Sequence, residues 1–169
     1  MEFMAYSGKY KVKNPLKYKG DHTKVVYRSM WERNCFNWCE NEPSVKEWCS
    51  EEVVIPYFYD VDKKYHRYFM DLKIVYTDGR TVLVEIKPAK ETMPPKRPDK
   101  SKRYLNEAFT YIKNENKWKA TREYVKDRGW TFEIWTEHVL EAKGMLTKPL
   151  KPLKKITPLK PLRKPKKKK

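Results

Sequence analysis

Residues 66–87 read HRYFMDLKIVYTDGRTVLVEIK, and this stretch decides the fold. Both arms are rich in β-branched and aromatic residues, and the Asp-Gly pair at 78–79 between them is a strong signal for a β-hairpin. Charged residues interrupt the apolar pattern at Asp71, Glu85 and Lys87. Acidic residues are depleted in strand interiors. These three side chains therefore point to a role other than forming the strands.

The length of the turn decides whether these side chains can act together. A two-residue loop would place the Asp71 and Glu85 side chains on opposite faces of the hairpin. A three-residue loop, with Gly79 in the left-handed conformation, pairs Asp71 with Glu85 and Phe69 with Lys87. This second register also gathers the apolar side chains on the other face: Met70, Leu72, Ile74, Val82, Val84 and Ile86. The hydrophobic pattern therefore favours the three-residue loop.

Two carboxylates on one face repel each other, at ~4 Å by roughly 4 kcal/mol for an effective dielectric constant of ~20. A divalent cation would turn this repulsion into ligation, and oxygen ligands favour Mg²⁺ or Mn²⁺ over softer metals. Lys87 follows Glu85 by two residues and lies on the same face, where its ammonium can orient an attacking water and stabilise charge on a phosphate. The alternative is a solvent-exposed strand face with ordinary pairs of acidic and basic side chains.

The charge of the chain is strongly positive and unevenly distributed. The chain has 169 residues and a net charge of +17, and residues 148–169 hold eleven Lys or Arg and no acid. The remainder still carries +6, so nucleic acid is the first partner to consider. We predict a basic N-terminal arm over 1–24, a folded domain over 25–147 and a Lys/Pro-rich tail over 148–169 that is disordered or polyproline-like.

The tail has three possible roles. Attraction to DNA without regard to sequence is the favoured one, and it predicts a steep dependence of DNA binding on salt. Docking of its regularly spaced Leu and Ile side chains on a partner protein is the second, and packing against its own domain is the third. The basic arm is likewise expected either to follow a phosphate backbone or to form a solvated loop.

The cysteines and the hydropathy pattern exclude other classes. No apolar run reaches the ~20 residues of a membrane span, and no secretory pattern is found at the N-terminus. Cys35, Cys39 and Cys49 are an odd set, so we expect reduced thiols. A zinc site that combines them with a histidine is the alternative, although the C-x3-C-x9-C spacing matches no standard arrangement.

The first helix is predicted to begin within Tyr27 to Glu32, and the role of the Glu32 carboxylate in it has two interpretations. Ser29 stands three residues before Glu32, which is the spacing of a capping box. The competing interpretation turns the Glu32 carboxylate toward the face of Asp71 and Glu85. Further elements are predicted as a strand over 51–59 in which Pro56 marks an edge or a bulge, helices over 104–112 and 118–125, a strand over 130–135 and a short helix over 136–143.

A loop rich in proline and basic residues, 88–102, comes directly after Lys87. It would bring five cations close to the proposed site, where a phosphodiester substrate would need them: Lys90, Lys96, Arg97, Lys100 and Lys102. A solvated charged loop is the alternative.

The order of these features resembles the PD-(D/E)xK nuclease superfamily. A Glu in the first helix, an Asp in a strand and Glu85-Ile86-Lys87 in the next strand form the pattern, although no proline directly precedes Asp71. More closely, Tyr27-Arg28-Ser29-x-x-Glu32, Ile55-Pro56-Tyr57 and His66-Arg67-Tyr68-Phe69-x-Asp71 look like the TnsA-type endonuclease group. Residues 5–145 as a whole are similar to the head completion nucleases of T4-like bacteriophages.

This resemblance implies an α/β (α+β) fold of the restriction-endonuclease type, a mixed sheet of about four strands flanked by helices. It implies hydrolysis of DNA phosphodiester bonds with Mg²⁺ or Mn²⁺. Asp71 and Glu85 would bind the metal with the Ile86 carbonyl, Glu32 would complete the metal shell, and Lys87 would position the water. We expect further contacts to DNA from Arg28, Ser29, Arg67, Lys96, Arg97, Lys100 and Lys102.

The resemblance also implies a biological setting, with alternatives. The nuclease would act on the packaged end of double-stranded DNA during phage head completion, with capsid portal or neck proteins as partners, in the virion and in the host cytoplasm during assembly. The first alternative is a structural protein that binds the DNA end without cutting it. The second is a transposition or repair nuclease of the same fold, because a fold does not fix a biological role.

Overall fold

The computed structural model describes residues 6–96 and 101–146. Its strands and helices follow in this order: β1 (Gly8–Lys9), β2 (Val26–Tyr27), α1 (Met30–Asn41), β3 (Val45–Cys49), β4 (Val54–Tyr59), β5 (Lys64–Phe69), β6 (Leu72–Tyr76), β7 (Thr81–Ile86), α2 (Lys102–Lys126), β8 (Thr131–Trp135) and α3 (Glu137–Ala142). Single 3₁₀ turns lie at Pro15–Lys17 and Ala89–Thr92. The predicted tail over 148–169 lies outside the described residues.

The central sheet has four strands in the order β3-β6-β7-β8. The β7–β8 pair is parallel and the other two pairs are antiparallel, so the predicted mixed sheet of four strands flanked by helices is confirmed. One of its strands, β3, has no counterpart in the sequence prediction. The five residues of β3 contain a register irregularity between Val45 and Glu47, which breaks the alternation that identifies a strand.

The predicted three-residue turn is confirmed. Leu72 pairs with Val84 and Ile74 with Val82, which is the register that the hydrophobic pattern favours. The Tyr76 N–H donates to the Arg80 carbonyl at 2.8 Å. Gly79 has a φ of 90°, a conformation that only glycine adopts without strain.

The first arm of the hairpin is two strands, and its prediction as one strand is wrong. β5 leaves the central sheet and pairs with β4 in a separate two-stranded ribbon. Phe69 therefore lies opposite Val54, and the predicted pairing of Phe69 with Lys87 does not occur. The Lys87 N–H instead donates to the Trp135 carbonyl at 3.1 Å. The change of sheet occurs at Met70 and Asp71, immediately beside the proposed chemistry.

Two hydrophobic cores cover the two faces of the central sheet. The first contains helices α1 and α3 and buries side chains that include Phe36, Trp48, Trp135 and Leu140, together with Tyr10, Val12 and Tyr18 of the predicted N-terminal arm. The second contains the β4–β5 ribbon and α2 and buries Ile55, Tyr57, Tyr59, Tyr68, Met70, Leu83 and Val125. Each large apolar side chain that is fully buried contributes about 1.5–3 kcal/mol.

The second core corrects two details of the sequence analysis. Met70 belongs to this core rather than to the face of Leu72 and Ile74, because the chain changes sheet at this residue. Helix α2 is one helix of 25 residues where two were predicted, because the polar segment between Ile112 and Trp118 contains no Gly or Pro to stop it. Within the described residues, no helix combines the length and apolar character needed to cross a bilayer.

Candidate active site

The structure brings Asp71 and Glu85 together at the point where the chain passes from the ribbon into the central sheet. Asp71 precedes β6, and its Oδ2 accepts a 2.7 Å hydrogen bond from the backbone N–H of Ile86. Glu85 is the penultimate residue of β7, and it is 2% exposed. Since Glu85 follows Leu83 by two residues, its side chain lies on the face of the sheet that α2 and the ribbon cover.

Both carboxylate oxygens of Glu85 have partners. Oε1 lies 3.0 Å from the Lys87 Nζ, and Oε2 accepts a hydrogen bond from the hydroxyl of Tyr68 in β5. Burial, and then the Glu85 charge, raises the pKa of Tyr68 well above its ordinary value, so the phenol keeps the proton that it donates. The ribbon thus holds Glu85 from one side and its own strand holds it from the other.

The charge of Glu85 affects the ionisation of Asp71. Burial, and after it the charge of Glu85, raises the pKa of Asp71 well above its ordinary value, against the opposing effect of the hydrogen bond from Ile86. Burial lowers the pKa of Lys87, but the charge and hydrogen bond of Glu85 raise it by more, and the net pKa is above its ordinary value. Lys87 is therefore a cation at neutral pH. The raised pKa of Asp71, by contrast, favours the protonated, neutral form of its carboxyl group.

Glu32 forms the capping box that its spacing predicts. Ser29 is the N-cap of α1, and its Oγ accepts from the Glu32 N–H at 3.1 Å. The Glu32 carboxylate in turn accepts from the Ser29 hydroxyl at 3.2 Å and from the Arg28 N–H at 2.7 Å. Its charge nevertheless contributes to the raised pKa of Asp71. Glu32 thus has the capping role, and its charge also acts on Asp71.

The oxygen atoms at this site are of the type that binds a hard divalent cation, although they do not form a complete metal site. Two carboxylates and a neighbouring backbone carbonyl supply oxygen atoms of the kind that Mg²⁺ prefers. Burial, and then the charge of Glu85, raises the pKa of Asp71, although the charge of the neighbouring Lys87 opposes this shift. Over residues 6–96 and 101–146, no cluster of three or more His, Cys, Asp or Glu side chains is arranged to hold a metal ion. The ligand roles of Glu32, Asp71, Glu85 and Ile86 therefore stay predictions.

The cysteines form no metal site in the described residues. Cys35, Cys39 and Cys49 are all buried, with free thiols. Burial raises the pKa of each, that of Cys49 to about 11, so all three are neutral at physiological pH. Among the described residues, no group of three or more His, Cys, Asp or Glu side chains is placed to hold a metal ion, so the zinc alternative is not supported.

The residues expected to contact DNA have different environments. The Arg28 guanidinium holds both oxygens of Glu51, at 2.9 and 3.1 Å. Ser29 is 1% exposed, and its hydroxyl is used by the cap. Arg67 is exposed on the outer face of the ribbon, 5.6 Å from the Phe69 ring centroid. Lys90, Lys96 and Lys102 are exposed, whereas Arg97 and Lys100 lie outside the described residues. A role in DNA binding stays a prediction for all of them.

Two residues at the site were not assigned a role from the sequence. Tyr68 belongs to the quoted motif before Asp71, and its alternation with the exposed Arg67 and Phe69 could have identified it as inward-facing. Lys117 in α2 lies with its Nζ 4.7 Å from the centroid of the Tyr68 ring. No local pattern distinguishes Lys117 from the other lysines of α2, because only the packing of this helix on the ribbon brings it there.

The comparisons with known proteins agree with this geometry. Residues 42–137 match the family described as TnsA-like endonuclease N terminal, a range that includes Asp71, Glu85 and Lys87. The chain is 44% identical over 146 residues to the head completion nuclease of Enterobacteria phage T4, and this match covers 83% of the chain and 97% of the relative. No solved structure matches the chain.

Proposed function

Because this chain belongs to the TnsA-like endonuclease family, we propose that it is a metal-dependent DNA endonuclease that acts in phage head completion. Its proposed substrate is the end of packaged double-stranded DNA. Its proposed partners are the portal or neck proteins of the capsid, in the host cytoplasm during assembly and in the virion. Nuclease activity is common to the descriptions of the family and of the T4 relative, and the remaining details are our proposal.

One observation supports this function most directly. Asp71 and Glu85 lie side by side where β6 begins and β7 ends, and Lys87 contacts Glu85 at 3.0 Å. Burial, and then the charges of Glu85 and Glu32, raise the pKa of Asp71. Neighbouring acidic groups that are both charged cost stability unless one of them takes up a proton or the pair binds a cation. A purely structural strand face has no need for such an arrangement.

The residues of the chain have distinct tasks in hydrolysis. Asp71, Glu85 and the Ile86 carbonyl would hold a divalent ion, which when bound polarises the phosphate and lowers the pKa of a bound water. Lys87, a cation beside Glu85, would orient the attacking water and stabilise negative charge on the phosphate. The water oxygen bonds to phosphorus and gives up a proton to solvent, the bond from phosphorus to the leaving sugar oxygen breaks, and that oxygen takes up a proton from solvent. Tyr68 keeps Glu85 in place throughout.

Plasmid nicking tests this proposal. Purified wild-type protein is expected to convert supercoiled DNA to nicked or linear DNA in Mg²⁺ or Mn²⁺, and to stop when EDTA is added. Asp71→Ala and Lys87→Ala should each abolish the conversion. Asp78→Ala is the matched control, since Asp78 is an exposed acid in the turn of the same hairpin. Cleavage by the Asp71 and Lys87 variants at the wild-type rate would reject the assignment.

A non-catalytic protein that binds DNA ends is the second candidate. The observation in its favour is that both Glu85 oxygens are already engaged, by Lys87 and Tyr68, so a metal must compete for them. This candidate predicts DNA binding that weakens steeply with salt, no metal-dependent cleavage by wild-type protein, and normal head assembly by Asp71→Ala. The transposition or repair alternative predicts cleavage without any effect of Asp71→Ala on assembly.

A further inference from the structure

Lys117 extends from α2 over the ring that positions Glu85. Its Nζ lies 4.7 Å from the centroid of Tyr68 and 6.0 Å from that of Tyr57. The hydroxyl of the same Tyr68 donates to Glu85. Lys117 therefore reaches the ring that contacts Glu85 from α2, whereas Lys87 follows the strand that carries Glu85.

The charge of Lys117 has no carboxylate partner. In the part of the chain that the structure describes, its ammonium makes no ion pair and no hydrogen bond. It makes cation–π contacts with the rings of Tyr57 and Tyr68. Lys87, by contrast, is paired with Glu85 at 3.0 Å. A partly buried cation without a counter-ion costs free energy. A nearby anion that is absent from the protein itself would recover that cost.

The electrostatics of Lys117 connect it to the two carboxylates. Burial lowers the pKa of its ammonium, the charges of Glu85 and Asp71 oppose that shift, and the charge of Lys87 adds to it. Lys117 is thus close enough to interact with the other charged groups of the site. Titratable groups that are perturbed in this way concentrate at functional sites.

A second lysine in the same helix provides a comparison. Lys113 lies one turn earlier, with its Nζ 5.1 Å from the Tyr59 ring, so it makes the same type of cation–π contact on the same ribbon. Lys113 is exposed, whereas Lys117 is partly buried. A cation–π contact as such therefore does not explain why Lys117 is placed next to Tyr68.

We propose that Lys117 is a catalytic residue whose ammonium contacts the reacting phosphate, as a second cation in addition to Lys87. This inference rests on the proposed nuclease function and adds to it a residue from a different layer of the fold. With Lys87 held by Glu85 and Lys117 unpaired, the two ammonium groups reach the phosphate from two directions. Charge that develops on the phosphate oxygens in the transition state is then neutralised in a partly buried environment, where each interaction is stronger than in water.

Kinetics with Lys117→Met and Lys113→Met test the catalytic part. We expect Lys117→Met to slow single-turnover cleavage at saturating DNA about 100-fold or more, the magnitude typical of a lost charge-stabilising donor. Its apparent Kd for DNA in EDTA should change less than about threefold, because many other basic residues contribute to binding. Lys113→Met should cleave at the wild-type rate. Wild-type cleavage by Lys117→Met, or a loss confined to affinity, would overturn the proposal.

Two further variants separate the charge from the fold. If Lys117→Met melts below the assay temperature, Lys117→Gln repeats the test with a polar but neutral side chain. Lys117→Arg keeps the positive charge but carries it on a guanidinium of different shape. This variant should cleave at least about tenfold faster than the neutral variants. Equal rates for Lys117→Arg and the neutral variants, at matched fractions of folded protein, would show that only packing was disturbed and would overturn the proposal.

A measurement without cleavage distinguishes failure of this inference from failure of the proposed function. In EDTA, the NMR signals of the lysine ammonium groups are followed as duplex DNA is added, with Lys117→Arg used for assignment. The Lys117 signal should shift, and that of Lys113 should not. An unshifted Lys117 signal overturns the proposal even if the wild-type protein cleaves. If the wild-type protein does not cleave in any metal, the nuclease function fails while this shift still reports the contact.

Discussion

Tyr68 donates its hydroxyl hydrogen to Glu85, which ties the β4–β5 ribbon to the carboxylate at the end of β7. Tyr68→Phe removes this donor and leaves a buried carboxylate oxygen unpaired, at a cost of about 1–3 kcal/mol. We expect cleavage to fall about 10–100-fold, as for other groups that orient metal ligands. Tyr65→Phe is the control, since Tyr65 lies on the same strand and is 76% exposed. Equal rates for the two variants would contradict the role given to Tyr68.

Asp71→Asn is expected to stabilise the metal-free protein while it abolishes cleavage. The pKa of Asp71 is raised, so the folded state favours the protonated form and loses stability as pH rises above ~4, the ordinary value of the unfolded chain. Asparagine carries no charge, so the folded Asp71→Asn variant does not lose this stability as pH rises. Melting in EDTA at pH 7 should therefore give a higher Tm for Asp71→Asn, by about 2–4 °C for each 1 kcal/mol of relieved repulsion. The difference should disappear near pH 3, and a lower Tm at pH 7 would be the opposite of this expectation.

Glu32→Gln separates the capping role from the metal role. Glutamine at this position of a capping box still accepts the Arg28 N–H, so the free energy of unfolding should change by less than about 1 kcal/mol. Ser29→Ala provides the scale for a lost cap, about 1 kcal/mol. If Glu32 completes the metal shell, Glu32→Gln should also weaken Mg²⁺ binding and cleavage. Calorimetric titration of Mg²⁺ checks this, and unchanged Mg²⁺ affinity would leave Glu32 with the capping role alone.

Alkaline pH should destabilise the protein because several buried groups keep their protons in the folded state. Burial raises the pKa of Cys49 to about 11 and those of Tyr18 and Tyr76 to about 12. The unfolded chain releases these protons near the ordinary pKa values of about 8.5 for Cys and 10 for Tyr. Stability is therefore fully present below about pH 8.5 and is lost progressively toward pH 12. Denaturant midpoints at pH 7, 9 and 10.5 measure the effect, and a midpoint that rises with pH would contradict it.

The sequence contained the information for the central hairpin but not for its surroundings. Alternation of apolar residues around Gly79 determined the register, because a slip by one residue would have moved every one of them to the other face of the sheet. The division of the first arm at Met70 and Asp71 was missed, because the acidic Asp71, which is unfavourable inside a strand, was interpreted only as a site residue within a continuous arm. The long α2 was predicted as two helices because residues 113–117 lack the apolar repeat. In the structure, Asn114 is buried and Lys117 lies over the Tyr68 ring. Packing against the rest of the fold therefore places this segment, and an apolar repeat does not.

The position of Asp71 between two separate ladders has a mechanical consequence. Asp71 lies between the end of β5 at Phe69 and the start of β6 at Leu72, so the distance between the carboxylates depends on the angle at which the ribbon meets the central sheet. A force that separates the ribbon from the central sheet would abolish cleavage, while helices α1 and α3 stay packed on the opposite face of that sheet. Catalytic competence is therefore expected to vanish at a milder perturbation than the one that melts the rest of the protein.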